Sequence, residues 1–564
     1  MISPEFEKNL KDIVINSVNA LDREGTASLP SHTVELPEIE LEIPRDKSHG
    51  DLSTNIALRM AKHVRKNPVE YAVLIAEKIN LTVKESPLAG SIERAETKPP
   101  GFINFWLSEK HIFEALEYIA GKKNKYGSRD LGRGMNLNIE FVSANPTGPL
   151  TIAHGRQAAF GDTLANIMQF AGYRVVREYY LNDEGNQMNI LARSIRARYM
   201  ELSGEQAEFP SDGYKGSYIN DIAAAIKAKY GARFVKKESL QFFNEFGCKW
   251  ILDDIKNDLE NFGVKFDVWY SQKKLAKSNQ IKNGIKFLSE KKLIYEKDGA
   301  LWFKSTEFGD DKDRVIIKST GEYTYLAPDI AYHIHKFKRG FKRLIDIWGP
   351  DHHGYIPRMK AVVRAIGQKE ESFQPLIIQL STLYRNGETV EMSTRAGEFI
   401  TLRELREEVG KDAARFFFLR RKRNSHLDFD MELAKKHSME NPVYYIQYAH
   451  ARICSILEYK KARKNDARSL LHEEYLREKE EIDIIKALGY FPLIVTTCAN
   501  TLEAFPLLSY LEEVASLFHS YYNKHRIITD DVRQTEARLF LCLAIQTVIA
   551  NGLRLIGVAS PKSM

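Results

Sequence analysis

Residues 137–180 read LNIEFVSANPTGPLTIAHGRQAAFGDTLANIMQFAGYRVVREYY, and the period of their apolar residues changes twice. Leu137, Ile139 and Phe141 alternate with polar neighbours, as in a strand. Residues 143–149 gather the breakers Asn145, Pro146, Gly148 and Pro149 into a loop. Helical spacing follows through 158–171 and stops at Gly172, and a second strand begins at once over 174–180. Strand, loop, helix and return strand make a βαβ unit of about thirty residues or more. The same order returns downstream as a strand over 343–348, a polar loop between Gly349 and Gly354, a helix over 356–366 stopped by Gly367, and a strand over 375–380. The repetition predicts an α/β domain with a doubly wound parallel sheet. Such sheets bind ligands beyond the carboxyl ends of their strands, where both loops fall.

Working outward, residues 1–120 read as a small α+β unit. A helix over 6–21 precedes strands expected around Val34, Leu36, Ile39, Leu41 and Ile43. A turn at Gly50-Asp51, a helix over 54–66 and a strand in GFINFWL (101–107) complete it. Lys122, Lys123 and Lys125, between Gly121 and Gly127, read as a linker. The doubly wound domain then occupies 121–440. From Asn441 the pattern is helical to residue 564, with Asn441-Pro442 as an N-cap followed by proline at the first helical position. Helices are expected over 443–459, 479–497, 510–524 and 533–556, the second breaking near Pro492. The basic run 460–464 and the acidic run 473–483 read as a solvated helix pair rather than a nucleic-acid patch.

Composition bounds the class. The 564 residues are 43% hydrophobic, with 82 Lys+Arg against 75 Asp+Glu and a formal charge of +7. That excludes a disordered chain and permits a polyanionic partner without requiring one. The apolar stretch 539–550 is interrupted by Gln546 and falls short of a membrane span, and the N-terminus has no apolar leader. Cys248, Cys454, Cys498 and Cys542 are too scattered for a disulfide framework or a CxxC zinc site. The expectation is a soluble, cytoplasmic protein without a structural metal.

The first βα loop carries the chemistry. A helix beginning near 152–154 offers free N–H groups to an anion, with Thr151 and His154 in reach of a phosphate. On this motif alone, a plain N-cap for Thr151 and a surface position for His154 weigh equally. No GxGxxG or GxxxxGK[ST] is present, so neither a dinucleotide fingerprint nor a Walker loop is supported.

The segment ANPTGPLTIAHGRQAAFGD (144–162) resembles the HIGH-type nucleotide loop of class I aminoacyl-tRNA synthetases, in the form found in arginyl-tRNA synthetases. HGDLSTNIALRMAKHV (49–64) and GFINFWL are similar to that family's N-terminal additional domain. REYYLNDEGNQM (177–188), TYLAPDIAYH (324–333), WGPDHHGYIPRMKAVVRAIG (348–367) and NSHLDFDMELAKKHSMENPVYYIQYAHARI (424–453) are similar to its catalytic core and the junction beyond. EVASLFHSYYNKHRI (513–527) and TEARLFLCLAIQTVIANGLRLIGVASPKSM (535–564) are similar to its α-helical anticodon-binding domain. The resemblance implies a Rossmann-like catalytic domain and an arginine–tRNA ligase that uses ATP with Mg2+ as substrate complex, L-arginine and tRNA(Arg), commonly as a monomer.

By resemblance, Pro149, Thr151, His154, Gly349, Asp351, His352, His353, Met392 and Ser393 border ATP, with Thr151, His154 and Arg395 catalytic. The adjacent histidines 352 and 353 also admit metal ligation or plain loop polarity, although no cysteine lies near. Arginine selection implies carboxylates that pair a planar guanidinium. Glu140, Asn145, Tyr325 and Asp329 line that pocket by resemblance. The bland alternatives are a strand-end charge for Glu140 and a core aromatic for Tyr325.

Class I enzymes usually carry KMSKS, and the matching stretch here is Glu391-Met392-Ser393-Thr394-Arg395, after a hairpin signalled by Asn386-Gly387. Both lysines are lost, so Arg395 is the nearest substitute, with Lys411 and the cluster 420–423 further off. The helical section 441–564 has 15 Lys+Arg and 14 Asp+Glu, so anticodon reading would rest on stacking and base-edge contacts. Tyr444, Tyr448, Tyr522, Asn523 and Arg526 offer those groups, and RFFFLRRKR (415–423) suggests a stem contact. The competing reading is a catalytically impaired tRNA-binding paralogue, since both signatures depart from the class pattern.

Overall fold

The computed structural model describes residues 2–25, 36–236, 239–390, 399–461 and 473–564. At its centre five strands form an all-parallel sheet: β1 (Asn136–Glu140), β2 (Arg174–Leu181), β3 (Val268–Ser271), β4 (Arg343–Trp348) and β5 (Phe373–Ile377). Their spatial order is β5-β4-β1-β2-β3. Chain direction across the sheet therefore reverses between β1 and β4, and the ligand crevice of a doubly wound fold lies at that switch point. Helix α1 (Ile152–Phe170) crosses from β1 to β2, and α2 (Leu326–Lys338) precedes β4.

Alternation is weak in these strands because they are buried on both faces. Leu137, Ile139, Leu344, Ile345 and Ile347 are all almost fully enclosed. Three carboxylates nevertheless sit in this interior on one register row, one per strand: Glu178 of β2 opposite Glu140 of β1, and Glu140 opposite Asp346 of β4.

The N-terminal unit differs from expectation between 36 and 46. Strands were expected there, but only an isolated bridge between Glu42 and Ser53 forms, and Val34 lies outside the described residues. Pro37 and Pro44 remove ladder donors at both ends of the stretch. Ile39 and Leu41 still bury their side chains from extended backbone. A three-stranded antiparallel sheet of Leu52–Thr54, Phe102–Leu107 and Ile92–Lys98 is formed instead. The expected linker is also structured. Gly121 and Lys122 belong to the last turn of the helix Glu109–Lys122, which Lys123 caps at positive φ, and Tyr126 is buried with its hydroxyl on the Leu488 carbonyl at 2.7 Å.

The C-terminal section is helical as expected: Pro442–Lys461, Lys479–Gly489, Phe491–Thr501, Phe505–Lys524 and Val532–Leu555. The break near Pro492 falls at Tyr490, since the proline ring cannot follow a continuous helix. Of the expected solvated pair, residues 462–472 lie outside the described residues, and Lys479–Gly489 buries Ile484, Ile485 and Leu488 on one face. By length and composition Lys479–Thr501 and Val532–Leu555 are apolar enough to cross a membrane, but 67% and 72% of their most apolar windows are buried inside this protein. Their apolar character is that of core helices.

Candidate active site

The loop after β1 leaves the sheet through an unfavourable conformation. Val142 and Ser143 both have positive φ, 67° and 41°. A β-branched residue there is a steric outlier, of the kind that persists where the surroundings over-determine the backbone. Those surroundings are visible. The Tyr179 hydroxyl donates to the Ala144 carbonyl at 2.8 Å, the Tyr180 amide to Ser143 Oγ at 3.0 Å, and Ser143 Oγ to Glu140 Oε1 at 3.1 Å. Asn145 donates to Gln187 Oε1 at 2.6 Å. The loop then meets the residues that follow the 391–398 stretch: the Leu402 amide donates to the Leu150 carbonyl at 2.8 Å, and Thr151 bridges Thr401.

Thr151 is the N-cap of α1, and His154 folds back on it. The Thr151 amide donates to His154 Nδ1 at 3.1 Å. An accepting Nδ1 puts the ring proton on Nε2, so a neutral His154 is an Nε2–H donor at the helix N-terminus. Burial lowers its pKa from 6.5 to about 4 and keeps it neutral at physiological pH. Pro149 precedes this cap and is half-buried.

Across the switch point the chain after β4 forms a 3-10 turn, Pro350–Tyr355. A Cβ on Gly349 would come within 2.7 Å of Asp351 Oδ1 and 3.7 Å of Gln157 Nε2 on α1, so the two loops approach closely there. Asp351, His352 and His353 are exposed, and His352 lies 3.4 Å from Asp351. Trp348 lies beneath, its ring 5.9 Å from that of His352.

The arginine-pocket candidates lie on β1 and α2. Asp329 is in the first turn of α2, and Tyr325 is its N-cap, 80% exposed. Tyr355 donates to Asp329 Oδ2 at 2.5 Å, which joins α2 to the Gly349 turn. Burial raises the Asp329 carboxyl above its ordinary range, partly offset by the Tyr355 bond. Among the described residues its side chain forms no ion pair, which leaves it available to a cation.

Glu140 is different. It is buried, and Lys336 Nζ of α2 donates to Oε2 at 2.6 Å while reaching Asp346 Oδ1 at 2.8 Å. The Tyr332 hydroxyl lies 2.9 Å from Glu140 and 2.6 Å from Glu178, sharing its one proton between them. Arg339 pairs with Glu178, and His333 faces Asp346 at 3.0 Å. A strand-end charge, the bland reading of Glu140, therefore does not describe it. Lys336, Tyr332, Ser143 and Tyr355 are the residues that reading the sequence missed. The available signal was a polar stripe, Asp329, His333 and Lys336 at helical spacing, among the apolar Leu326, Ala327, Ile330 and Ala331.

Glu391, Met392, Ser393, Thr394 and Arg395 lie outside the described residues. The hairpin before them is formed as expected by Ser381–Arg385 and Glu388–Thr389, with Asn386 and Gly387 both at positive φ.

In the helical section Tyr444, Tyr448 and Tyr522 come together. Tyr444 stacks on Tyr448 at 6.0 Å, and the Arg452 guanidinium lies 4.7 Å from the rings of both Tyr448 and Tyr522. Asn523 and Arg526 follow, exposed, at the end of that helix. The stem contact expected of 415–423 is corrected in part. Arg415 is fully buried against Asp162 at 2.7 Å, and Arg423 pairs with Glu503 at 2.5 Å, so Arg421 and Lys422 are the exposed cations of that run.

Three family descriptions match the chain: arginyl tRNA synthetase N terminal domain over 6–107, tRNA synthetases class I (R) catalytic domain over 116–452, and DALR anticodon binding domain over 446–564. The chain is 43% identical over 602 aligned residues to an arginine–tRNA ligase of Thioalkalivibrio sulfidiphilus, covering 99% of this chain and 100% of that one. It is 48% identical over 535 to one of Geobacillus thermodenitrificans, covering 94% and 95%. The fold is similar to a Thermus thermophilus arginyl-tRNA synthetase structure, with a TM-score of 0.77 at 19% identity, over 99% of this chain and 100% of that one.

Proposed function

The chain belongs to the class I arginyl-tRNA synthetases, and on that premise we propose how its residues divide the work. It is an arginine–tRNA ligase: it activates L-arginine with ATP and transfers the arginyl group to tRNA. Identity of 43–48% over nearly the whole chain favours an active enzyme over the impaired tRNA-binding paralogue.

Activation brings the arginine carboxylate in line with the ATP α-phosphate while pyrophosphate leaves, and catalysis is mostly positioning and charge stabilisation. His154, a neutral Nε2–H donor at a helix N-terminus, is the phosphate-side donor, with Thr151 holding its ring. Pro149, Gly349, Asp351, His352, His353, Met392 and Ser393 border the nucleotide, which enters with Mg2+ as part of the substrate. Arg395 supplies the cation of the second signature. Asp329 is the main partner of the guanidinium, with Tyr325 open beside it, and Glu140 and Asn145 complete the pocket. The observation that supports this assignment is a carboxylate beside the switch-point crevice that forms no ion pair among the described residues.

Residues 1–120 and 441–564 hold tRNA around the catalytic section 121–440. The aromatic ladder of Tyr444, Tyr448 and Tyr522, with Asn523 and Arg526, is the anticodon-side surface. Cytoplasmic residence fits four free cysteines, and the chain is taken to act as a monomer by its resemblance to the family. ATP–pyrophosphate exchange with arginine tests the function: clear exchange with tRNA and negligible exchange without it are expected. No exchange under either condition defeats the assignment, and strong exchange from enzyme, ATP and arginine alone defeats the tRNA requirement.

A further inference from the structure

Three carboxylates on adjacent strands, Glu178, Glu140 and Asp346, form one row inside the sheet. Neighbouring strands lie about 4.8 Å apart, so bare carboxylates in that row would repel one another strongly at low dielectric. Helix α2 covers the row with His333, Lys336 and Arg339, three residues apart along the helix. Lys336 is fully enclosed and donates to both Glu140 and Asp346, with its ammonium also 4.4 Å from the Tyr332 ring centre. Burial alone would discharge this lysine. Asp346, Glu140 and Glu178 outweigh that effect and hold its pKa above the usual range, while Asp346 is lowered to about 2.

Such a network is a poor device for stability alone. Replacing a buried ion pair by packed apolar residues of similar volume is often neutral or stabilising. What it does provide is a fixed carboxylate. Of the two Glu140 oxygens, Oε2 is occupied by Lys336 and Tyr332, whereas Oε1 receives Ser143 alone among the described residues and keeps an acceptor position. The same lysine pins α2 to the sheet two turns below Asp329, and His333 joins the two, with Nδ1 on the Asp329 carbonyl at 2.8 Å.

We propose that Lys336 is a positioning residue of the arginine pocket: its ammonium, held between Glu140 and Asp346, fixes the Glu140 carboxylate and the helix carrying Asp329 where they receive the guanidinium. Lys336 has no exposed surface with which to touch substrate, so it acts through those two carboxylates. The proposal rests on the pocket assignment given above.

The test is a double-mutant cycle on the full-length enzyme, Lys336→Met and Glu140→Gln singly and together, read by ATP–pyrophosphate exchange with tRNA present. Lys336→Met is expected to raise the arginine KM about tenfold to a hundredfold, the cost of a misplaced binding group, with the ATP KM changed less than about twofold. In the Glu140→Gln background the same change should cost much less, because the carboxylate it positions is gone. Additive effects, or equal rises in both KM values, would show general structural damage and overturn the proposal. If Glu140→Gln leaves the arginine KM unchanged, the pocket assignment itself fails. If Glu140→Gln raises it and Lys336→Met does not, only the role of Lys336 fails. Should Lys336→Met not fold, Lys336→Gln is read the same way, and failure of both to fold assigns Lys336 to stability and ends the proposal.

Discussion

At the scale of single residues, two side chains of the site have opposite relations to charge. Asp329 is a half-buried carboxylate with the Tyr355 hydroxyl as partner and no ion pair among the described residues, and under the proposed assignment the substrate guanidinium supplies the missing charge. Asp329→Asn should cost about 2–5 kcal/mol of arginine binding, as for one member of a buried charge pair, with the ATP KM nearly unchanged. Steady-state kinetics in both substrates check this, and normal arginine kinetics would remove Asp329 from the pocket. His154 works uncharged. Selective 15N-histidine NMR should show it as the Nε2–H tautomer, titrating near pH 4 rather than 6.5. Because the folded ring has the lower pKa, the unfolded chain takes up a proton first as pH falls from about 6.5 toward 4, and stability contributed by neutral His154 is lost over that window. A resonance titrating near 6.5 would show the ring to be solvated. Both residues were legible in the sequence as candidates by type and position. Their charge states were not, because desolvation and the tautomer depend on neighbours remote in sequence.

At the scale of elements, α1 approaches β1 so closely that glycine is required between them. A Cβ on Gly161 would lie 2.3 Å from Cγ of Phe141, the residue that follows β1, and on the side of the helix Leu402–Val409 one on Gly155 would lie 2.8 Å from Leu402 Cδ1. Gly161→Ala should gain helix propensity yet destabilise by about 1–3 kcal/mol through overpacking against a fully buried ring. Urea denaturation should show a lower midpoint, and an unchanged or raised midpoint would contradict the close approach. The strand–loop–helix order here was readable because the apolar period changes sharply at residues 143–149 and again at Gly172. The stretch 36–46 does not form the strands that its apolar spacing predicts. Its alternating Leu36, Ile39, Leu41 and Ile43 satisfy burial from extended backbone, and the prolines withhold the donors a ladder needs. In α2 the opposite error occurred. Its polar stripe was present in the sequence, but only packing on three carboxylate-bearing strands gives Lys336 partners.

At the scale of the whole molecule, buried arginines tie the sections together. Arg415 donates to Asp162 on α1, to the Ile556 carbonyl beyond the last helix and to the Phe262 carbonyl, while the Arg156 guanidinium donates to carbonyls of Gln379, Leu380, Lys422 and Ser425. Arg415→Met should therefore cost about 3 kcal/mol or more, since it leaves buried Asp162 with Arg177 as its one cation among the described residues, beside a weak bond from Asn166. Urea unfolding should begin earlier in the helical section, and a wild-type unfolding curve would show the crosslink to be idle. The sequence by itself determined the strand–helix order of the catalytic βαβ unit, the helical C-terminal section, the parallel sheet, the two switch-point loops and the family, because local periods, turn residues and short motifs are written in consecutive positions. Only the tertiary structure decided that Glu140 is paired with Lys336 while Asp329 has a hydroxyl and no ion pair among the described residues, that RFFFLRRKR turns its first arginine inward, and that residues 121–127 are clamped by helices more than three hundred positions away. Those are matters of which distant groups share a low-dielectric space, and in such a space a charge is fixed by the partners that surround it rather than by its place along the chain.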